Sequence, residues 1–248
     1  MKILAATILL ISSAITIYIG RVSSANHAPF IRAIRERDGV PCDTVIDMGI
    51  YKSYFDTFYR EPLVVTYKLA LGSKKRDSLN RKDLHLNFTG VGRKRTWLGE
   101  HMARAIDYRN NKDHYQRGHM ANADDFSYNR DREKMTFKYY NCVPQTGALN
   151  QGAYREWEDS IRSESETDSL LIICGNIFGI IRMGPDGIAI PDTCFKVVQS
   201  LRTGSILHVL IFKNETAILG DKWPKCDQGT YALAGLEKRI GYSLPLKQ

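Results

Sequence analysis

The chain opens on an uncharged run. Residues 3–20 carry no charged side chain, between Lys2 and Arg21. Ser23, Ser24 and Ala25 then supply the small side chains that a signal peptidase reads, which predicts a secretory leader over 1–25 with cleavage after Ala25. The run is long for a leader and borderline for a membrane span, and Thr7, Ser12, Ser13 and Thr16 dilute it. An uncleaved leader acting as an anchor is the alternative, and no later segment is apolar for long enough to cross a bilayer.

Beyond the leader, residues 26–41 are polar and read as loosely ordered. Residues 62–71 (PLVVTYKLAL) are rich in β-branched and aromatic side chains and predict a strand. Residues 72–83 (GSKKRDSLNRKD) form a basic loop, either merely solvated or a rim facing nucleic acid. In 148–163, Leu149, Ala153, Trp157 and Ile161 recur every four residues and predict one helix with an apolar stripe. Residues 169–174 (SLLIIC) predict a buried strand closed by Gly175, and 195–201 with 206–212 predict a hairpin about Arg202-Thr203-Gly204-Ser205. A short helix follows over 233–240, stopped by Gly241. Strands and helices mix without regular βαβ alternation, so the fold class is α+β, with a largely antiparallel sheet flanked by helices. The expected division is leader 1–25, N-terminal segment 26–44 and a domain over 45–248.

Composition narrows this picture. Cleavage would leave 248 − 25 = 223 residues, enough for a sizeable core, and 43% hydrophobic with 25% charged residues is a globular balance. The formal charge is +8; Lys2 and Arg21 leave with the leader, so the mature chain keeps +6. A basic surface favours polyanionic partners through phosphate contacts. The five cysteines (Cys42, Cys142, Cys174, Cys194, Cys226) all follow the leader. Export permits disulfides, an odd count leaves at least one thiol over, and the lack of any C-x-x-C pair argues against structural zinc.

Candidate chemistry concentrates in 113–158. Gln116-Arg117-Gly118-His119-Met120-Ala121 comes first, then Asn141-Cys142-Val143-Pro144-Gln145, then Leu149-Asn150-Gln151-Gly152-Ala153-Tyr154, with Glu158 four residues on. Phosphodiester hydrolysis needs a base for water, a cation for the phosphate and leaving oxygen, and donors that hold the phosphate in line. His119 is a base with an ordinary pKa of about 6.5, Arg117 a fixed cation shaped for phosphate, and Asn150 a neutral oxygen for a hard metal ion. On one helix Asn150, Tyr154 and Glu158 would share a stripe, and Asn150 and Glu158 would stand about 12 Å apart along the axis, too far to ligate one ion together. Each residue also has a structural alternative. His119 could be a structural or exposed histidine, Asn150 a helix cap, and Glu158 a solvated side chain or a partner for Arg155 or Arg162.

The ordered set resembles the DNA/RNA non-specific endonuclease family, the endonuclease G-like nucleases of the ββα-metal (His-Me finger) class. Its signature reads D-R-G-H-M-A-P, then N-x-x-P-Q-x-x-x-L-N-x-G-x-W-x-x-x-E. Weaker likeness continues through Gly175-Asn176-Ile177-Phe178, residues 190–198 and residues 236–242, so it spans about residue 45 to the C-terminus. The resemblance implies a ββα-metal domain that hydrolyses DNA and RNA with little sequence preference and leaves 5′-phosphates. The implied cofactor is Mg2+, with Mn2+ as a substitute. His119 would be the general base, Asn150 the sole direct protein ligand of the metal, and Glu158 the holder of one of its waters. Arg117 would contact phosphate and Asn141 would support the site. Arg95, two residues before Trp97, would stabilise the transition state, with Arg93 as its rival. The partners implied are DNA and RNA as substrates; a homodimer is allowed. Three positions depart from the pattern: Gln116 for Asp, Asn122 for Pro and Tyr154 for Trp. Gln116 keeps hydrogen bonding but loses a charge. It is also the warning sign for the rival reading, a nucleic-acid-binding protein of the same fold that has lost turnover.

Overall fold

A computed structural model describes residues 15–19, 31–72, 86–90, 97–109, 111, 114–215, 226–228 and 233–247. Its centre is a seven-stranded antiparallel sheet in the order β12-β11-β10-β9-β6-β5-β4. These strands are β4 (Thr44–Asp47), β5 (Tyr51–Asp56), β6 (Glu61–Leu69), β9 (Leu170–Met183), β10 (Ile188–Ser200), β11 (Ile206–Lys213) and β12 (Cys226–Gln228). A small second sheet joins β1 (Ile15–Ile19), β2 (Ile31–Arg37) and β3 (Val40–Cys42). β7 (Gln116–His119) pairs with β8 (Cys142–Gln145) as a separate two-stranded ribbon. The helices are α1 (Trp97–Glu100), α2 (Arg130–Thr136), α3 (Gly147–Gln151), α4 (Ala153–Glu164) and α5 (Leu233–Ile240). No helix among the described residues is long and apolar enough to cross a membrane.

Both faces of the central sheet are covered, which explains why its strands read as continuous apolar runs rather than alternating ones. Val65, Tyr67, Leu69, Ile172, Cys174 and Val198 point to one face, where they meet Met120, Cys142, Leu149 and Tyr154. Val64, Ile173, Phe195, Val197 and Ile211 point to the other, where they meet Leu236 and Ile240 of α5. The ribbon and α3–α4 therefore lie together on the first face, and Arg117, His119, Asn150 and Glu158 lie on these elements.

Several expectations need correction. The strand expected to close at Gly175 runs on to Met183. Gly175 does not end it, because its role is to admit the Phe195 ring, which occupies the space a Cβ would need. Residues 26–41 are not loose to their end, since Val40 and Cys42 are fully buried in the second core. The single helix over 148–163 is two. Gly152 adopts φ −107° and ψ −118°, outside helical geometry, and divides α3 from α4. The apolar stripe survives the break, because Leu149, Ala153 and Ile161 are buried, but Tyr154 has joined it with full burial. Asn150 and Glu158 therefore do not share a helical face. No disulfide joins Cys142, Cys174 or Cys194; each is a buried thiol.

Candidate active site

The site grows from the β7–β8 ribbon. Gly118 lies opposite Val143 and His119 opposite Cys142. A Cβ at Gly118 would overlap the fully buried Gln145 side chain, so glycine is what lets the two strands close. Asn214, just past β11, ties the ribbon to the main sheet. Its amide donates to the Pro144 and Pro191 carbonyls at 2.9 and 2.8 Å, and its oxygen accepts from Thr146 N at 2.8 Å. Thr146 in turn caps α3, its hydroxyl accepting from Leu149 N at 3.2 Å. Asn150 sits inside α3, and the N-cap of the following α4 is Gly152 with no side-chain cap bond, which excludes the cap reading of Asn150.

Strand alternation sends Arg117 and His119 to one side of β7 and Gln116 and Gly118 to the other. The first pair meets around Phe88. The His119 ring packs 4.8 Å from Phe88 and edge-on to Phe137 at 4.6 Å. The Arg117 guanidinium lies 4.7 Å from the Tyr108 ring centre and 5.9 Å from that of Phe88. Cation–π contact holds it, and among the described residues no carboxylate pairs with it. Its charge is thus left for an anion. Near Tyr108, Glu61 is fully buried with both oxygens lacking a hydrogen bond; burial, with Asp107 nearby, pushes its carboxyl well above the usual range.

Asn141 holds the loop that leaves His119. It is fully buried, its oxygen accepts from Ala121 N at 2.8 Å, and its amide donates to the Ala121 and Thr136 carbonyls at 3.0 and 2.9 Å. Its own carbonyl accepts from Met120 N at 2.9 Å. These contacts use the side chain's capacity and make Asn141 a positioning residue.

Asn150 meets the other side of β7. Its Nδ2 donates to Gln116 Oε1 at 2.8 Å. Its Oδ1 takes no hydrogen bond among the described residues, and the residue is half-buried. A hard cation fits such a free amide oxygen. Among the described residues no three His, Cys, Asp or Glu side chains converge on a metal site. An ion there would therefore complete its shell with water and phosphate, as magnesium tolerates.

Glu158 bonds neither Asn150 nor Arg155. Its Oε1 accepts from Lys196 Nζ at 3.2 Å, and Lys196 is fully buried, 4.1 Å from the Tyr154 ring centre and 3.3 Å from Cys174 Sγ. Burial raises the Glu158 carboxyl to about 7 against the opposing pull of Lys196. Burial depresses Lys196, but Cys174 and Glu158 more than offset this and keep it charged. Arg162 bonds Asp125 at 2.8 Å rather than Glu158. Arg95, its rival Arg93 and most of the basic 72–83 loop lie outside the described residues. Sequence reasoning missed Lys196, Phe88 and Asn214. Only Lys196 had a signal, a charge at an inward position between Cys194 and Val198.

The profile of the DNA/RNA non-specific endonuclease family matches residues 37–237. No curated protein matches the chain. Among solved structures, a crystal structure of the EndoG/EndoGI complex, concerned with the mechanism of EndoG inhibition, superposes with a TM-score of 0.60 at 18% identity. The match covers 81% of this chain and 84% of that one, and at this identity it speaks for the fold. With the family profile running from β2 into α5 and the β7–β8–α3 site inside it, the chain belongs to the DNA/RNA non-specific endonuclease family.

Proposed function

We propose that this nuclease hydrolyses phosphodiester bonds of both DNA and RNA with Mg2+, using His119 as general base and Asn150 as the direct protein ligand of the ion. The observation that carries this is the ribbon-and-helix arrangement. β7 presents Arg117 and His119 side by side, and α3 brings Asn150 against the same strand.

Bound magnesium would polarise the phosphate and stabilise the departing 3′-oxygen. His119 takes a proton from water; the water oxygen bonds to phosphorus, and the P–O3′ bond breaks, the departing 3′-oxygen taking a proton from a second water, to leave a 5′-phosphate and a 3′-hydroxyl. Phe88, tilted against the imidazole, and Phe137, edge-on to it, limit its rotation before reaction. Arg117 supplies a fixed positive charge to the phosphate oxygens. Glu158 has its Oε1 on Lys196, and its second oxygen would hold water near the ion. Arg95 is assigned to transition-state charge by its place in the family pattern. Contacts to phosphate rather than to base edges fit cutting without sequence preference.

The uncharged run before Ala25 supports export, secreted or periplasmic, with Asn26 as the mature N-terminus. Mass spectrometry of the exported protein checks this; an intact leader in the membrane fraction would contradict it. The activity is tested by incubating the purified protein with plasmid and with RNA, in magnesium or in chelator. Cleavage of both polymers only with magnesium is expected, and cleavage undiminished by chelator would overturn the proposal.

A further inference from the structure

One bond at the site matters more for its direction than for its strength. A carboxamide carries oxygen on one arm and NH2 on the other. By accepting from Asn150 Nδ2 at 2.8 Å, Gln116 Oε1 fixes which arm faces the strand, and so turns Asn150 Oδ1 away from it. The Gln116 amide is itself confined. Its Nε2 lies where a Cβ on Gly147 would approach to 3.1 Å, so a glycine at the start of α3 makes room for it.

We propose that Gln116 is a positioning residue whose acceptor oxygen selects the Asn150 orientation that presents Oδ1 to a divalent cation. The inference rests on the reading of Asn150 as metal ligand. The neutral residue at 116 has a specific consequence. A carboxylate accepts at both oxygens and holds the Asn150 NH2 in either of its own orientations. A glutamine turned by half a revolution offers NH2 instead, and would draw Asn150 Oδ1 inward and away from the ion. This chain therefore carries a competing, metal-excluding arrangement that an acidic residue at 116 would remove.

The full chain as wild type, Gln116→Glu, Gln116→Met and Asn150→Ala is titrated with Mn2+ without nucleic acid, reading free Mn2+ by electron paramagnetic resonance. Mg2+ competition and the melting temperature of each variant are measured alongside. Gln116→Glu keeps length and acceptor and is expected to bind Mn2+ more tightly than wild type. Gln116→Met keeps bulk without an acceptor and is expected to bind roughly 3–10-fold more weakly, the worth of one net hydrogen bond. In cleavage, the larger share of the change falls on the magnesium needed for half-maximal rate, not on the rate at saturation. Wild-type affinity in Gln116→Met, or weaker binding in Gln116→Glu, overturns the role of Gln116. If Gln116→Met does not fold, Gln116→Glu decides alone. Asn150→Ala separates the layers. If it binds Mn2+ like wild type, Asn150 is not the ligand. If it loses binding while both Gln116 variants keep wild-type affinity, only the role of Gln116 falls.

Discussion

Replacing Asn141 by alanine removes the clamp on the segment that follows the base. Three side-chain bonds are lost: one from Ala121 N, one to Ala121 O and one to Thr136 O. Thr136 O keeps a second donor, Lys138 N at 2.9 Å, so it is not stranded. The fully buried Ala121 loses a donor for its C=O and an acceptor for its N–H. Two stranded buried groups at about 1–3 kcal/mol each, plus one lost bond of about 1 kcal/mol, give about 3–7 kcal/mol. For a domain of this size that lowers Tm by about 10–20 °C. Asn141→Asp sharpens the test. The carboxylate can still accept from Ala121 N, but it sets a second acceptor against the two carbonyls and buries a charge. At neutral pH it should be the more damaging variant. Its folded-state pKa is raised by that site, so stability should return as pH falls and the acid regains a proton to donate. Thermal unfolding of wild type and both variants, from acidic to neutral pH, provides the measurement. A Tm of Asn141→Ala within about 2 °C of wild type, or an Asn141→Asp variant that weakens on acidification, would refute the reasoning.

Two further outcomes follow from packing and charge. Glu158 is raised from its ordinary 4.5 to about 7. The unfolded chain therefore releases this proton first, and stability is lost as pH rises between those values. The span is worth about 3 kcal/mol, and Glu158→Gln should remove that slope in denaturant titrations; an unchanged slope would mean that Glu158 stays ionised throughout. Gly118→Ala should destabilise by about 1–3 kcal/mol, because its methyl overlaps Gln145, and Gln145→Ala in the same chain should recover part of the loss. Strict additivity of the two substitutions would count against the contact.

The elements with strong local signals were legible. β6, the β10–β11 hairpin and α5 carry their apolar runs and turn glycines within a few residues, so local pattern and tertiary demand coincide. The break at Gly152 was not legible, because the four-residue stripe continues across it while the backbone does not. The length of β9 was hidden for a related reason: Gly175 reads as a stop, and only the Phe195 ring on the neighbouring strand shows why the chain passes through. At the site, Arg117, His119, Asn141 and Asn150 were visible as a spaced motif. Their partners were not. Lys196 reaches Glu158 from 38 residues away, and Asn214 reaches Pro144 from 70. Such contacts are made by sheet order, which single-chain periodicity does not encode. Gln116 was visible as a departure from the family pattern, but its bond to Asn150 depends on how α3 packs on β7.

Cleavage and DNA binding by wild type and His119→Ala, measured side by side with melting temperature, test the proposed general base. Turnover should fall by about 10²–10⁴-fold, the usual worth of general-base catalysis. The variant should still shift DNA in a gel at low salt and release it as salt rises, since phosphate contacts do not need the imidazole. A histidine that only fills the space between Phe88 and Phe137 would instead lose stability, binding and activity together, and a protein that binds without cutting would show no cleavage in either form. Equal cleavage by wild type and His119→Ala would contradict the mechanism outright.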